Sequence, residues 1–398
     1  PYGLPIARPM TAGPVGVVLQ SGALVSAVMA FAQAHAIGLS LLVSMGNESM
    51  ISVTDVVDYL LEDEATRAIA LFLESIRQPE ELRRVAEKAR AHRKPIIAFK
   101  IGRNELSARA ALAHTGALVG DDAINDAALR QLGIMRVSSL EDLIITAGLA
   151  GYTGALPGPR MGVVTPSGGA CDIISDLAQD YGMSLPDFAP ETVASLHEIL
   201  PSFAAPHNPL DVTGYVVVDA TIQRRSLEAV INDPNLDFVM ELVSLDSSRE
   251  PTPLALAMAI EQYERRAALI HTAPLPVVLT YSTCMDLPPS GRTVVERTGL
   301  HIVAGIEHGM RALGKLLWWS RLISTPSSTG QEDPLPPVLS DVARTGSWSE
   351  ARARTLLQEA HIPIVPAILA TSAEGAAQAA HRLGLPVALK IQSPALPH

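Results

Sequence analysis

Gly16-Val17-Val18-Leu19-Gln20-Ser21-Gly22-Ala23 is an apolar β-type run that ends in a small-residue turn and opens a helix-like segment. The pattern returns at Gly162-Val163-Val164-Thr165-Pro166-Ser167-Gly168-Gly169-Ala170. At that offset of 146 residues (Gly16 to Gly162), the pairs Val17/Val163, Val18/Val164, Ser21/Ser167, Gly22/Gly168, Ala32/Ala178, Gln33/Gln179 and Leu39/Leu185 are identical. Matches clustered around one strand–turn–helix point to an internal duplication. Outward from the first copy, residues 15–19, 39–44, 68–74 and 95–100 read as strands. Residues 23–36, 52–62 and 80–91 read as helices, with apolar side chains at three- and four-residue spacing. In the second copy, 238–243 and 276–280 read as strands. Strands alternating with helices of this length predict an α/β chain with two flavodoxin-like, doubly wound parallel-sheet domains, at 14–150 and 160–322.

The stretch 151–159, punctuated by Gly and Pro, reads as a linker between the halves, and 323–345, rich in Ser, Pro and Gly, as a second. Beyond it, 347–360 reads as a helix capped by Ser347 or Ser349. Residues 364–370 follow, then a helix at 372–383 and a strand at 386–391. These residues are too few to bury a sound core alone and read as the opening of a third domain.

With 398 residues, 48% of them hydrophobic and 18% charged, the chain can bury large cores in two or three domains. A formal charge of −11 argues against nucleic acid as a partner. No apolar run is long enough to span a bilayer and no secretory signal is visible, so a cytoplasmic protein without a membrane partner is expected. Cys171 and Cys284, far apart, read as small buried free thiols rather than metal ligands, and no metal site is expected.

Three features carry chemistry. The turns Ser21-Gly22-Ala23 and Ser167-Gly168-Gly169 each aim unpaired backbone N–H groups and a positive helix end at one point, as phosphate cradles do. Between them in the chain, His114-Thr115-Gly116 sits on a small-residue loop where the backbone can approach phosphate closely. An imidazole nitrogen can attack phosphorus and pass the phosphoryl group on. Glu74, ending the strand Ile69-Ala70-Leu71-Phe72-Leu73, can hydrogen-bond such an imidazole, fix its tautomer and stabilise its charge, and Glu48 competes for that role. Asp211, in Asn208-Pro209-Leu210-Asp211, reads as part of a turn.

With these residues laid out, the chain resembles the NDP-forming acyl-CoA synthetases, relatives of succinyl-CoA synthetase. The matching segments are Gln20-Ser21-Gly22-Ala23-Leu24, Ser44-Met45-Gly46-Asn47-Glu48, Lys100-Ile101-Gly102-Arg103, His114-Thr115-Gly116-Ala117, Asn208-Pro209-Leu210-Asp211 and Lys390-Ile391-Gln392-Ser393-Pro394. The resemblance implies that residues 346–398 begin an ATP-grasp domain and that 1–13 enter from a CoA-binding domain, so the chain is expected to begin and stop inside a longer enzyme. It implies a phosphohistidine at His114, oriented by Glu74 and cradled by Ser21, Gly22, Ala23, Thr115, Gly116, Ser167, Gly168 and Gly169, with Lys390 contacting nucleotide. ATP, Mg²⁺ and CoA would serve the complete enzyme, a homo-oligomer that turns over a carboxylic acid, CoA, phosphate and an adenine nucleotide. Ala113 and Cys171 stand where that family usually has a serine and a smaller residue.

The competing reading is a catalytically silent, ligase-like sensor, for instance of a protein acetyltransferase. A hydrolase is excluded because neither Ser21 nor Ser167 lies in a Gly-x-Ser-x-Gly elbow. A dinucleotide oxidoreductase is disfavoured because no Gly-x-Gly-x-x-Gly follows the first strand.

Overall fold

Aliphatic runs with no polar face can be strands only where helices cover both sides of a parallel sheet, and the two duplicated segments do form such sheets. The computed structural model describes residues 10–46, 48–104, 121–245, 251–325 and 348–392. In the first half, β1 (Ala12–Leu19), α1 (Leu24–Ala34), β2 (Leu39–Ser44), α2 (Val53–Glu62), β3 (Ala68–Leu73), α3 (Pro79–Ala91), β4 (Ile96–Lys100), α4 (Asp122–Gln131), β5 (Met135–Arg136) and α5 (Leu140–Thr153) follow one another. The second half runs β6 (Met161–Thr165), α6 (Gly168–Asp180), α7 (Pro190–Ile199), β7 (Leu210–Asp211), α8 (Ile222–Val230), β8 (Phe238–Leu242), α9 (Pro253–Thr272), β9 (Val277–Thr280), α10 (Pro289–Thr298), β10 (Ile302–Val303) and α11 (Ile306–Ser324).

Both sheets have five parallel strands, in the orders β2-β1-β3-β4-β5 and β7-β6-β8-β9-β10. This is one topology used twice, with the crossover point beside β1 and β6, where such sheets present ligand sites. The strands predicted at 15–19, 39–44, 68–74, 95–100, 238–243 and 276–280 are all found, within a few residues at their ends.

Three readings of the first two domains need correction. Residues 151–153 are not linker: α5 runs through them and is buried without interruption from Asp142 to Gly151. A helix apolar all round has no amphipathic signature. Residues 210–211 form the edge strand β7, because the Asn208 side chain extends the ladder. Its Oδ1 accepts from Val163 N at 3.0 Å and its Nδ2 donates to Met161 O at 2.8 Å. Cys171 is buried as expected, but Cys284 is exposed.

One core runs through both halves, joining Val17, Phe72 and Leu149 to Met161, Met240 and Leu316. At about 1.5–3 kcal/mol for each fully buried aliphatic side chain, this core makes the two sheets a single unit, Pro1–Thr325. The second unit, Pro326–His398, contains α12 (Glu350–Glu359), capped by Ser349, and α13 (Ala373–Leu383), capped by Ser372. The strand expected at 386–391 is not paired, and Leu389 and Ile391 are 83% and 89% exposed. Without a neighbouring strand its backbone groups have no ladder to join. Among the described residues no helix is long and apolar enough to cross a membrane.

Candidate active site at the carboxyl end of the first sheet

Parallel strands end on the same side, so the residues just after β1, β2, β3 and β4 are brought together whatever their distance in sequence. Gln20, 7% exposed, ties these ends. Its Oε1 accepts from Glu74 N and from Ser75 N, the latter at 3.0 Å, while its Nε2 donates to Ser75 O at 3.0 Å and to Glu48 Oε1. One amide therefore satisfies the backbone at the β3 exit and reaches the loop after β2.

The other oxygen of Glu48, Oε2, accepts from Val53 N at 2.9 Å, in the first turn of α2. Glu48 is thus engaged both by Gln20 and by a helix start. Glu74 stands one residue past β3, with its backbone pinned by Gln20 on one side and Lys100 on the other.

Lys100 closes β4 and is 1% exposed. Its Nζ donates to Glu74 O at 2.9 Å and to Ile101 O at 2.6 Å. Burial, helped by the charge of Arg136 and opposed by Asp122 and Glu74, pushes its ammonium down to about 8. Sequence reasoning quoted Gln20 and Lys100 without giving either a role. The signal was present for the lysine, since a charged residue closing the buried run Ile96-Ile97-Ala98-Phe99 must find acceptors inside.

The first cradle leads into α1 with Ala23 at the cap and no side chain accepting from its first-turn N–H groups. An uncapped, acid-free helix start at the sheet edge is a good seat for an anion. The second cradle differs. Ser167 caps α6 itself, its Oγ accepting from Ala170 N at 3.4 Å. A Cβ placed on Gly168 would lie 3.2 Å from Asp211 Oδ2, so a carboxylate stands beside this turn. Asp211 Oδ1 accepts from Thr213 N at 2.8 Å, and Thr213 itself has a left-handed φ of 64°.

Burial, with Asp211 and Asp172 adding, pushes the Cys171 thiol up to about 11, so it is no nucleophile at neutral pH. The structure thus gathers Gln20, Glu48, Glu74 and Lys100. Among the described residues no hydrogen bond joins this group to Ser167, Gly168 or Gly169. His114, Thr115 and Gly116 lie outside the described residues. Lys390, in the second unit, is exposed and pairs with Glu350 Oε2 at 3.2 Å.

Comparison with known proteins places this geometry. Residues 12–150 match the family model of the succinyl-CoA ligase like flavodoxin domain, and residues 342–398 match that of the ATP-grasp domain. The chain is 29% identical over 386 residues to a trans-feruloyl-CoA synthase of an unknown prokaryotic organism, covering 96% of this chain and 53% of that protein. It is 37% identical over 202 residues to an ADP-forming acetate–CoA ligase of Methanocaldococcus jannaschii, covering 51% of this chain and 28% of that protein. In solved structures it resembles the dinucleotide forming acetyl-coenzyme A synthetase 1 of Ca. Korarchaeum cryptofilum in complex with phosphate and ADP, with a TM-score of 0.64 and 27% identity over 79% of this chain and 66% of that one. The chain spans about half, or less, of the length of these two curated relatives.

Proposed function

We propose, for a chain related to the NDP-forming acyl-CoA synthetases, that the complete protein joins a carboxylic acid to CoA at the expense of ATP, with His114 as the phosphoryl carrier. The observation that carries this reading is the pinned exit of β3. Gln20 and Lys100 hold the Glu74 backbone from both sides, at the sheet edge where α1 starts uncapped.

The relay has three steps. A ring nitrogen of His114 attacks the γ-phosphorus of ATP and ADP leaves. A carboxylate oxygen then takes the phosphoryl group, giving an acyl phosphate and free imidazole. The thiolate of CoA attacks the acyl carbon, and phosphate departs with the electrons of the broken C–O bond. Glu74 orients the ring and balances its charge. Ser21, Gly22 and Ala23 hold the phosphoryl oxygens with Thr115 and Gly116, and Ser167, Gly168 and Gly169 form the second seat. Mg²⁺ and nucleotide belong to the ATP-grasp segment, where Lys390 contacts phosphate.

The proposed partition is 1–13, 14–150, 160–322, 323–345 and 346–398, in a cytoplasmic homo-oligomer. Over a silent ligase-like sensor, this reading is favoured by the presence of His114 together with an intact β3 exit.

The test is transfer of label from γ-labelled ATP to the full-length protein with Mg²⁺. Acid-labile, base-stable label on the wild type, absent from His114→Ala and discharged by a carboxylate plus CoA, is the expected result. Wild-type protein that binds ATP yet takes no label would overturn the ligase in favour of the sensor.

A further inference from the structure

The duplication extends to the contact between the halves. At an offset of 166 residues (Leu140 to Ile306), α5 maps onto α11 and their caps Ser139 and Gly305 coincide. The ladders agree with this offset. Arg136 pairs with Ala98 on β4 and Ile302 pairs with Leu279 on β9, which are equivalent positions of the two sheets. Each of these helices also packs across the interface, α5 on β10 and α11 on β5. The interface therefore contains the same corner twice.

One corner is filled. His301 stacks on Tyr152 with ring centroids 4.4 Å apart, and Gly148 leaves just enough room, since a Cβ there would lie 3.3 Å from the His301 ring. Around this stack Ile145, Leu149 and Ile302 are 1%, 0% and 2% exposed. The twin corner, where Trp318 and Met135 take the places of Tyr152 and His301, is open. It holds a cavity of about 510 Å³.

The three aliphatic positions have also changed, to Arg311, Lys315 and Arg136, all lining the cavity. Two of these cations are already engaged. Arg311 reaches both oxygens of Asp142, at 2.9 and 2.8 Å, and Arg136 pairs with Asp122 and Asp126. Lys315 makes no hydrogen bond or ion pair among the described residues. Burial holds its ammonium below the usual lysine range. Acid is present too. Asp126 faces the cavity but is shared by Arg130 and Arg136, and Asp180 lies exposed at the rim.

Lys315 is half-buried and lines this cavity without a partner among the described residues, and a mere gap would more simply have kept the leucine of its twin. We propose that this corner is a binding site for a small organic anion, whose carboxylate or phosphate pairs with Lys315 and whose apolar body lies against Trp318, Tyr181 and Met135. The proposal does not rest on the proposed ligase activity.

The test is calorimetric titration of the full-length protein with benzoate, phenyl phosphate and inorganic phosphate, beside Lys315→Gln and Lys315→Arg. Saturable binding of benzoate or phenyl phosphate is expected, weakened at least about tenfold by Lys315→Gln and largely kept by Lys315→Arg, in line with the strength of charge-assisted bonds. Which of the two aromatic anions binds tighter distinguishes carboxylate from phosphate as the head group. Red-edge fluorescence on Trp318→Phe reports the location, because that variant loses the ligand-dependent signal while Trp319 and Trp348 remain. Unchanged affinity in Lys315→Gln, or no saturable binding of any probe up to about 10 mM, equivalent to less than roughly 3 kcal/mol of binding free energy, overturns the proposal. Equal thermal midpoints of wild type and variants show that a loss is not unfolding.

Discussion

His301 lies against Tyr152 with both ring nitrogens enclosed and unpaired among the described residues. Burial, with His35 nearby, pushes its imidazole down to about 4. Above pH 6.5 the ring is neutral folded or unfolded, so no pH dependence arises from it there. Between about pH 6.5 and 4 the unfolded chain takes up a proton that the folded one refuses, so stability falls as pH falls. The loss approaches about 3 kcal/mol at pH 4, by the free energy of a shift of this size. His301→Phe keeps the stack and removes the titration, so denaturant unfolding of wild type and variant should diverge across that window. Parallel curves would show that His301 charges freely.

Glu74 drew notice at this scale because it closes an apolar strand. Gln20 did not, since nothing local says that its amide spans strand ends separated by 54 and 55 residues.

Elements reveal themselves when their ends and faces differ. Helix α2 starts at Ser52, whose Oγ accepts from Asp55 N at 3.2 Å while Asp55 Oδ2 accepts from Ser52 N at 2.8 Å. That reciprocal box fixes the start of a helix whose apolar three- and four-residue spacing was readable in the sequence. Ser52→Ala is expected to lower unfolding free energy by about 1 kcal/mol. It should also loosen Glu48, because Val53 N, which Glu48 holds, belongs to the same turn. Faster amide exchange at Val53 and Asp55 would show it, and unchanged protection there would show that Glu48 alone fixes the turn.

Helix α5 is the opposite case. It is buried on every side between two sheets, so periodicity carries no trace of it. Strand β7, two residues long, relies on the Asn208 amide, a contact made across 45 and 47 residues.

At the scale of the whole molecule, Asp142 on α5 joins the two halves. It is 2% exposed, its Oδ1 is 2.8 Å from His308 Nδ1, and Arg311 Nη1 donates to both of its oxygens. By the 166-residue offset, Asp142 and His308 are equivalent positions, so the pair sits where the two copies face each other. Asp142→Ala removes one of the two carboxylates that hold Arg311, leaving Glu307, and is expected to cost about 2 kcal/mol, the size of a hydrogen bond to a charged group, read as a shift in the urea midpoint of one cooperative transition. An unchanged midpoint would mean that the halves hold together without this carboxylate.

The amino-acid sequence by itself determined the six longer strands predicted in the two halves, their parallel arrangement and the repeated strand–turn–helix. These follow from local polarity, period and spacing, which neighbours in the chain decide. Only the tertiary structure decided that Gln20 and Lys100 pin Glu74, that Glu48 holds a helix start, and that the second turn stands beside Asp211. It alone showed one interdomain corner filled by a ring stack and its twin left open around a lysine. Partners so far apart in the chain meet only because parallel strands end on one edge and because two copies of one fold face each other. Apart from the charge of Lys100 closing an apolar run, neither meeting leaves a mark on the residues around either partner.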